Sequence, residues 1–252
     1  MTQASIDAQD QHAGAPSVAS GHAVGDVAGS RAVGWLLALA VALATMVVIV
    51  AFAVLALMIP IYMHGALDRA GSPGYLGVMP AEAHALSDAT VSELLFGPGT
   101  FVDPPLGDGR IDFYDAAEIS HLRDARTVLY GLLALAGLSI VVLVVGAMRS
   151  RREARLWRAM SVGAGVLSVA FVVIGALFLV AFDAAFTLFH EIFFPGGNWS
   201  FDFATERLVQ LYPIPFWQEA TTVIGGIVIV ASGLVWWVAR RRARRLEAAT
   251  VA

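Results

Sequence analysis

Of the 252 residues, 58% are aliphatic, aromatic, methionine or alanine and only 14% are charged, roughly half the charged share of a soluble globular domain. The formal charge of −4 sets 20 acidic residues against 16 basic ones, and every basic residue is arginine. A water-soluble fold is excluded by the long uncharged runs, and the absence of cysteine excludes a disulfide framework, a thiolate nucleophile and any cysteine metal site.

The first stretch, Met1 to Ser30, is built from Gly, Ala, Ser, Asp and His with almost no large apolar side chain. It cannot offset its ordering entropy, which predicts a disordered tail over residues 1–31 in which His12 and His22 have no role. Four apolar segments follow, at about 32–62, 127–148, 160–182 and 220–238. Each holds about 18 or more nearly uninterrupted apolar residues, the length that ~30 Å of hydrocarbon requires at about 1.5 Å per residue. Lipid offers no partner to backbone N–H and C=O, so each must be a helix. The first is longer than a signal-peptide core and lacks a small-residue cleavage site, so it reads as an uncleaved anchor.

Arginine placement gives an orientation. Arg149, Arg151, Arg152, Arg155 and Arg158 fill the turn between the second and third segments, and Arg240, Arg241, Arg242, Arg244 and Arg245 follow the fourth. With four spans both clusters fall on one side, which the positive-inside rule makes cytoplasmic. These arginines read as topology signals and not as a nucleic-acid surface. The expected fold is an all-α membrane protein with four transmembrane helices and two extracytoplasmic loops, 63–126 and 183–219. Both termini, including a basic tail over 240–252, then lie in the cytoplasm. Glycines within the spans, such as Gly163 and Gly226, would serve helix packing within one chain or between chains.

Chemistry has room in the two outer loops. In the first, Pro80 opens and Gly97-Pro98 closes a segment with helix start and stop signals, predicted to be a short interfacial helix. Farther on, Asp115 and Glu118 have the spacing of a capping box, so the second spanning helix should start near residue 116. On that helix Glu118, His121 and Asp124 form one polar row, with Arg123 and Arg126 beside it. Ionisable groups at the mouth of a spanning helix make a candidate site, set against a rim of charges that snorkel to water. The third helix leaves the membrane through Asp183, Phe186, Phe189, His190, Phe193 and Phe194, then a Pro195-Gly-Gly-Asn turn and Trp199. An aromatic belt accounts for the Phe and Trp residues but not for His190.

The stretches Glu118-Ile-Ser-His-Leu-Arg-Asp-Ala-Arg126 and Phe189-His-Glu-Ile-Phe-Phe-Pro-Gly-Gly-Asn-Trp-Ser-Phe-Asp202, with Leu208-Val-Gln-Leu-Tyr-Pro213 and Phe216-Trp217, resemble a bacterial family. It is the four-span integral membrane family that includes lipoprotein intramolecular transacylase. The resemblance runs from the first span to the fourth and departs at Phe203 and Glu206. It implies an acyltransferase of the bacterial cytoplasmic membrane. Such an enzyme moves the sn-2 acyl chain of a diacylglyceryl-Cys lipoprotein to that protein's own N-terminal amine. It also implies that His121 and His190 are catalytic. A histidine pair can serve as general base and general acid. Arg123 or Arg126 could steady the oxyanion, and Asp124 or Glu118 could orient an imidazole. The partners implied are lipid and lipoprotein, with no nucleic acid and no cofactor.

Other classes stay open on the sequence alone. His121, His190 and nearby carboxylates could hold a metal, although no HExxH-like spacing is present. A non-enzymatic four-span protein whose acidic outer loops bind an exported partner is a further alternative. A transporter fits less well, because the spans carry almost no mid-membrane charge and no inverted repeat.

Overall fold

The computed structural model describes residues 20–102 and 113–251, with side chains described from residue 33 to 250. The described residues are helical throughout, without strands: α1 (Ser20–Leu57), α2 (Pro60–Ala70), α3 (Ser72–Leu76), α4 (Pro80–Leu95), α5 (Ala116–Ser150), α6 (Ala154–Val180), α7 (Phe182–Phe193), α8 (Arg207–Leu211) and α9 (Ile214–Val251). Four are long and apolar enough to cross a bilayer: Val33–Leu57, Ala116–Ser150, Ala154–Val180 and Ile214–Thr250, with mean hydropathy between 2.1 and 2.9. The protein is an all-α, multi-pass membrane protein. In the apolar windows of α5, α6 and α9 only 17% of residues are buried inside the chain, so the rest of those apolar faces need lipid.

Of the stretch expected to be disordered, residues 1–19 lie outside the described residues. Ser20 to Arg31 instead continue α1 ahead of the apolar segment, as expected when adding a turn to an existing helix costs far less than starting one. The chain divides into residues 1–37, of which 20–37 are described as the first part of α1, and residues 38–252, which hold the other described elements. All packing below lies within the second unit.

In the membrane layer α6 and α9 pack along their length. Ile49 and Ala53 of α1 join Ala164 and Leu167 of α6 and Val228 of α9 in one buried cluster. Gly163 is what lets α1 approach: a Cβ there would lie 2.4 Å from the Ala42 carbonyl oxygen. That close backbone contact is the small-residue packing used between membrane helices.

The ends of α5 and α9 carry a helical cap made by the two loops. Among its described residues the first loop holds three helices, α2, α3 and α4, where one was expected. Pro60 ends the first span early and starts α2, because its fixed φ suits a first helical turn and its ring blocks continuation. The third span likewise breaks at Ala181 (φ −144°, ψ 50°), and α7 restarts at Phe182. Leu67, Ala83, Leu86, Phe101, Tyr114, Leu122 and Leu211 bury together as the core of the cap. Tyr114 Oη pairs with Thr90 Oγ1 at 2.8 Å and Tyr212 Oη with Ser87 Oγ at 3.1 Å, so these buried phenols are satisfied. Burial pushes the Tyr212 phenol up to about 12. Arg69 forks onto Glu219 (2.9 and 2.6 Å), which ties α2 to α9.

Candidate functional site

His121 sits in the second turn of α5 and His190 in the last turn of α7, and the structure brings them together. Their ring centroids are 5.9 Å apart with planes 25° from parallel. The pair is walled by aromatics. Phe194 and Phe201 lie 4.6 and 5.5 Å from His121, and Phe186, Phe194 and Trp199 lie 4.1, 5.5 and 5.1 Å from His190. The Phe and Trp side chains expected to form a belt therefore also line the histidine site.

One ring has a defined tautomer. Nδ1 of His190 is 2.8 Å from the Phe186 carbonyl oxygen. A carbonyl only accepts, so Nδ1 carries the hydrogen, and in the neutral ring Nε2 keeps its lone pair. His190 is 8% exposed. Burial pushes its pKa below the usual histidine value, partly offset by the Phe186 hydrogen bond. The imidazole is thus held in its neutral form at physiological pH. Nδ1 of His121 is buried and makes no hydrogen bond among the described residues.

The neighbouring polar groups divide by where they point. Asp124 accepts from Asn198 Nδ2 at 2.7 Å, and the same amide lies 3.1 Å from Ser120 Oγ, so the Pro-Gly-Gly-Asn turn is fastened to α5 beside His121. Glu118 turns the other way. It completes the capping box, accepting from Asp115 N at 2.7 Å while Asp115 accepts from Glu118 N at 2.8 Å. Its other oxygen accepts from Leu208 N at 2.6 Å, which joins the start of α5 to α8. Arg123 donates to the carbonyls of Gly99 and Thr100, and Arg126 to those of Gly97 and Pro98 and to Tyr130 Oη. Both arginines thereby hold the 97–100 turn, which Glu93 grips from the other side through the Gly99 and Thr100 amides. Of the six residues singled out, His121 and His190 meet, Asp124 lies next to them through Asn198, and Glu118, Arg123 and Arg126 serve the frame.

Residues 108–217 match the family model of Lipoprotein intramolecular transacylase Lit. Over that stretch the chain is similar to this family, and it is a multi-pass membrane protein with four candidate spans. Its fold is similar to the solved membrane integral lipoprotein intramolecular transacylase Lit of Bacillus cereus, with a TM-score of 0.72 at 18% identity, covering 85% of this chain and 98% of that one. A histidine-to-alanine variant of the same protein aligns with a TM-score of 0.66 at 16% identity, covering 87% and 98%. An uncharacterized protein of Aquifex aeolicus is 23% identical over 147 residues, which span 55% of this chain and 64% of that relative's length.

Both histidines fall inside the matched stretch, as does Asn198, whose bridge from Asp124 to the turn was not foreseen. The sequence signal for it was the Pro-Gly-Gly-Asn turn itself. A second histidine pair was also missed. His64 of α2 and His84 of α4 stack with centroids 4.3 Å apart and planes 3° from parallel. His64 reaches Asp88 and His84 reaches Asp68, each at 2.9 Å. No group of three or more His, Asp or Glu side chains able to hold a metal occurs among the described residues.

Proposed function

We propose that the protein is a membrane acyltransferase that moves the sn-2 acyl chain of a diacylglyceryl-Cys lipoprotein to the α-amine of the same cysteine. The observation that carries this reading is the enclosed pair, with His190 Nε2 left as a lone pair in a pocket of aromatic rings. Nε2 takes a proton from the amine as its nitrogen bonds to the ester carbonyl carbon. The C–O bond then breaks, and the sn-2 oxygen takes up that proton from the imidazolium, directly or relayed through His121, which returns both rings to their starting state. No water, cofactor or protein nucleophile enters, and amine and ester are already on one molecule. The apolar wall supports transfer over hydrolysis by keeping water from the tetrahedral carbon. Asp124 and Asn198 act as positioning residues that hold the turn against α5. Arg123 and Arg126 would reach an oxyanion only by giving up a carbonyl of the 97–100 turn, so their role here is to hold that turn. The arginine clusters favour an arrangement with both termini in the cytoplasm and the histidine site on the outer face.

Transfer is an isomerisation, so the intact lipopeptide keeps its mass while its fragments change. Purified protein incubated with a synthetic diacylglyceryl lipopeptide should give fragment ions with the acyl chain on nitrogen. An N-acetylated lipopeptide should be inert. Loss of one acyl chain from both substrates would mean hydrolysis, and no change in either would reject the acyltransferase reading.

A further inference from the structure

The C-terminal part of α9 carries a feature the acyl-transfer reading does not use. Trp236, Trp237, Arg240, Arg241 and Arg244 line an open cleft of about 390 Å³. The Arg240 guanidinium lies 5.1 Å from the Trp236 ring centroid and that of Arg241 lies 3.9 Å from the Trp237 ring, each one helical turn on. A guanidinium stacked on a ring by its face keeps its N–H edge free for a planar or tetrahedral oxyanion. Among the described residues, none of Arg240, Arg241 and Arg244 pairs with a carboxylate. The ion pair in this region joins Arg158 to Glu247 at 2.8 Å, and Arg242 lies over Trp157 of α6 at 5.8 Å. Three cations therefore face one cleft with their donors unspent.

We propose that this cleft binds the phosphate headgroup of an anionic phospholipid in the leaflet at the C-terminal end of α9. Two observations favour a lipid over a free anion. The apolar run of α9 ends at Val238, so the two tryptophans stand at interface depth and the arginines at the level of lipid phosphates. Below the cleft, Val230, Leu234 and Val238 are exposed at i, i+4 and i+8, an apolar stripe on which acyl chains can lie. The tryptophan anchor is also built in. A Cβ on Gly165 of α6 would lie 3.2 Å from Cδ1 of Trp236, so glycine there leaves the indole its seat. A topology signal alone needs charge near the membrane but no stacking. Arg149, Arg151, Arg152 and Arg155 in the α5–α6 turn carry that charge without a ring partner among the described residues.

The test is native mass spectrometry of the detergent-solubilised full chain titrated with phosphatidylglycerol, phosphatidylcholine or inorganic phosphate. The central variant, Arg240→Lys with Arg241→Lys and Arg244→Lys, keeps the charge and hence the insertion signal but loses the planar fork. Phosphatidylglycerol should be retained in preference to phosphatidylcholine, and its affinity should fall about tenfold or more in the lysine variant, the equivalent of one lost charge-assisted hydrogen bond. A matched control, Arg149→Lys with Arg151→Lys and Arg152→Lys, should bind as the unmodified chain does. Trp237→Leu should weaken binding with no change in charge. Equal retention of the two lipids, or lysine variants that behave alike, would reduce the cleft to undirected charge and overturn the proposal. Displacement of phosphatidylglycerol by an equal concentration of inorganic phosphate would overturn the lipid assignment.

Discussion

Among the described residues there are two histidine pairs, and their surroundings differ in the way the proposed chemistry requires. His64 and His84 stack closely, and the side chains in their two pairs are 20–47% exposed, each imidazole bonded to an aspartate of the opposite helix. His121 and His190 stand farther apart, enclosed by Phe and Trp, with one nitrogen fixed by a carbonyl and no carboxylate bonded to either ring. Each ring of the first pair, partly in solvent, uses its Nε2 to join α2 to α4. The second keeps a lone pair in reserve, at the cost of burying a titratable ring. Ionisable groups held away from water with unspent capacity are stronger candidates for proton transfer than solvated ones that tie two helices together.

The largest effect separates the pairs directly. His190→Gln should lower the turnover of the diacylglyceryl lipopeptide by about 10²–10⁴-fold, the usual share of a general base. His64→Gln with His84→Gln should leave the rate within about threefold and cost no more than about 1 kcal/mol of stability, as exposed pairs do. Fragment-ion counting of N-acyl product reads the first, and thermal unfolding in detergent the second. A rate loss in the α2–α4 variant equal to that of His190→Gln would erase the distinction.

Next in size is Glu118, which stands in the histidine row of the sequence yet belongs to the frame. Glu118→Ala leaves the amides of Asp115 and Leu208 without their acceptor, which should destabilise the cap by roughly 2–4 kcal/mol from a lost cap and a buried orphan donor. The surviving folded fraction should keep its pH–rate profile. A changed profile at unchanged stability would move Glu118 back into the chemistry.

A smaller and sharper test uses the acid limb. The folded pKa of His190 lies below the ordinary 6.5, because burial opposes the charged ring. Its base form therefore persists above that value. Once the titration of the substrate's own α-amine, at about 8, is divided out, kcat/KM should fall only as pH drops below 6.5. The sign for stability is the same: the neutral ring's contribution is complete above the unfolded pKa and fades as pH falls through the folded one. A second acid limb above pH 7, beyond that of the amine, would point to a different base.

The four spans and the start of α5 were legible because they rest on local signals: apolar length, and the Asp115–Glu118 spacing that the capping box confirms. α4 was legible from Pro80 in the same way. α2 was hidden because its first residues continue the hydropathy of the first span, and the break at Ala181 falls between apolar residues without Gly or Pro. Helical spacing placed Glu118, His121 and Asp124 on one row, but spacing does not fix where a side chain turns at the end of a helix. There Glu118 finds the orphan amides of its own cap and of α8. The two His–Asp bonds between α2 and α4 needed the antiparallel packing of helices whose partners are 16 and 24 residues apart.

The most direct measurement expresses three forms of the protein in a bacterial host that makes diacylglyceryl lipoproteins and has no N-acylating enzyme. These are the unmodified chain, His121→Gln with His190→Gln, and His64→Gln with His84→Gln, each confirmed in the membrane. Fragment spectra of a reporter lipoprotein's N-terminal peptide should show acyl on nitrogen with the first and third and not with the second. Acyl on nitrogen with all three, or with none, would contradict the assignment of acyl transfer to the enclosed pair.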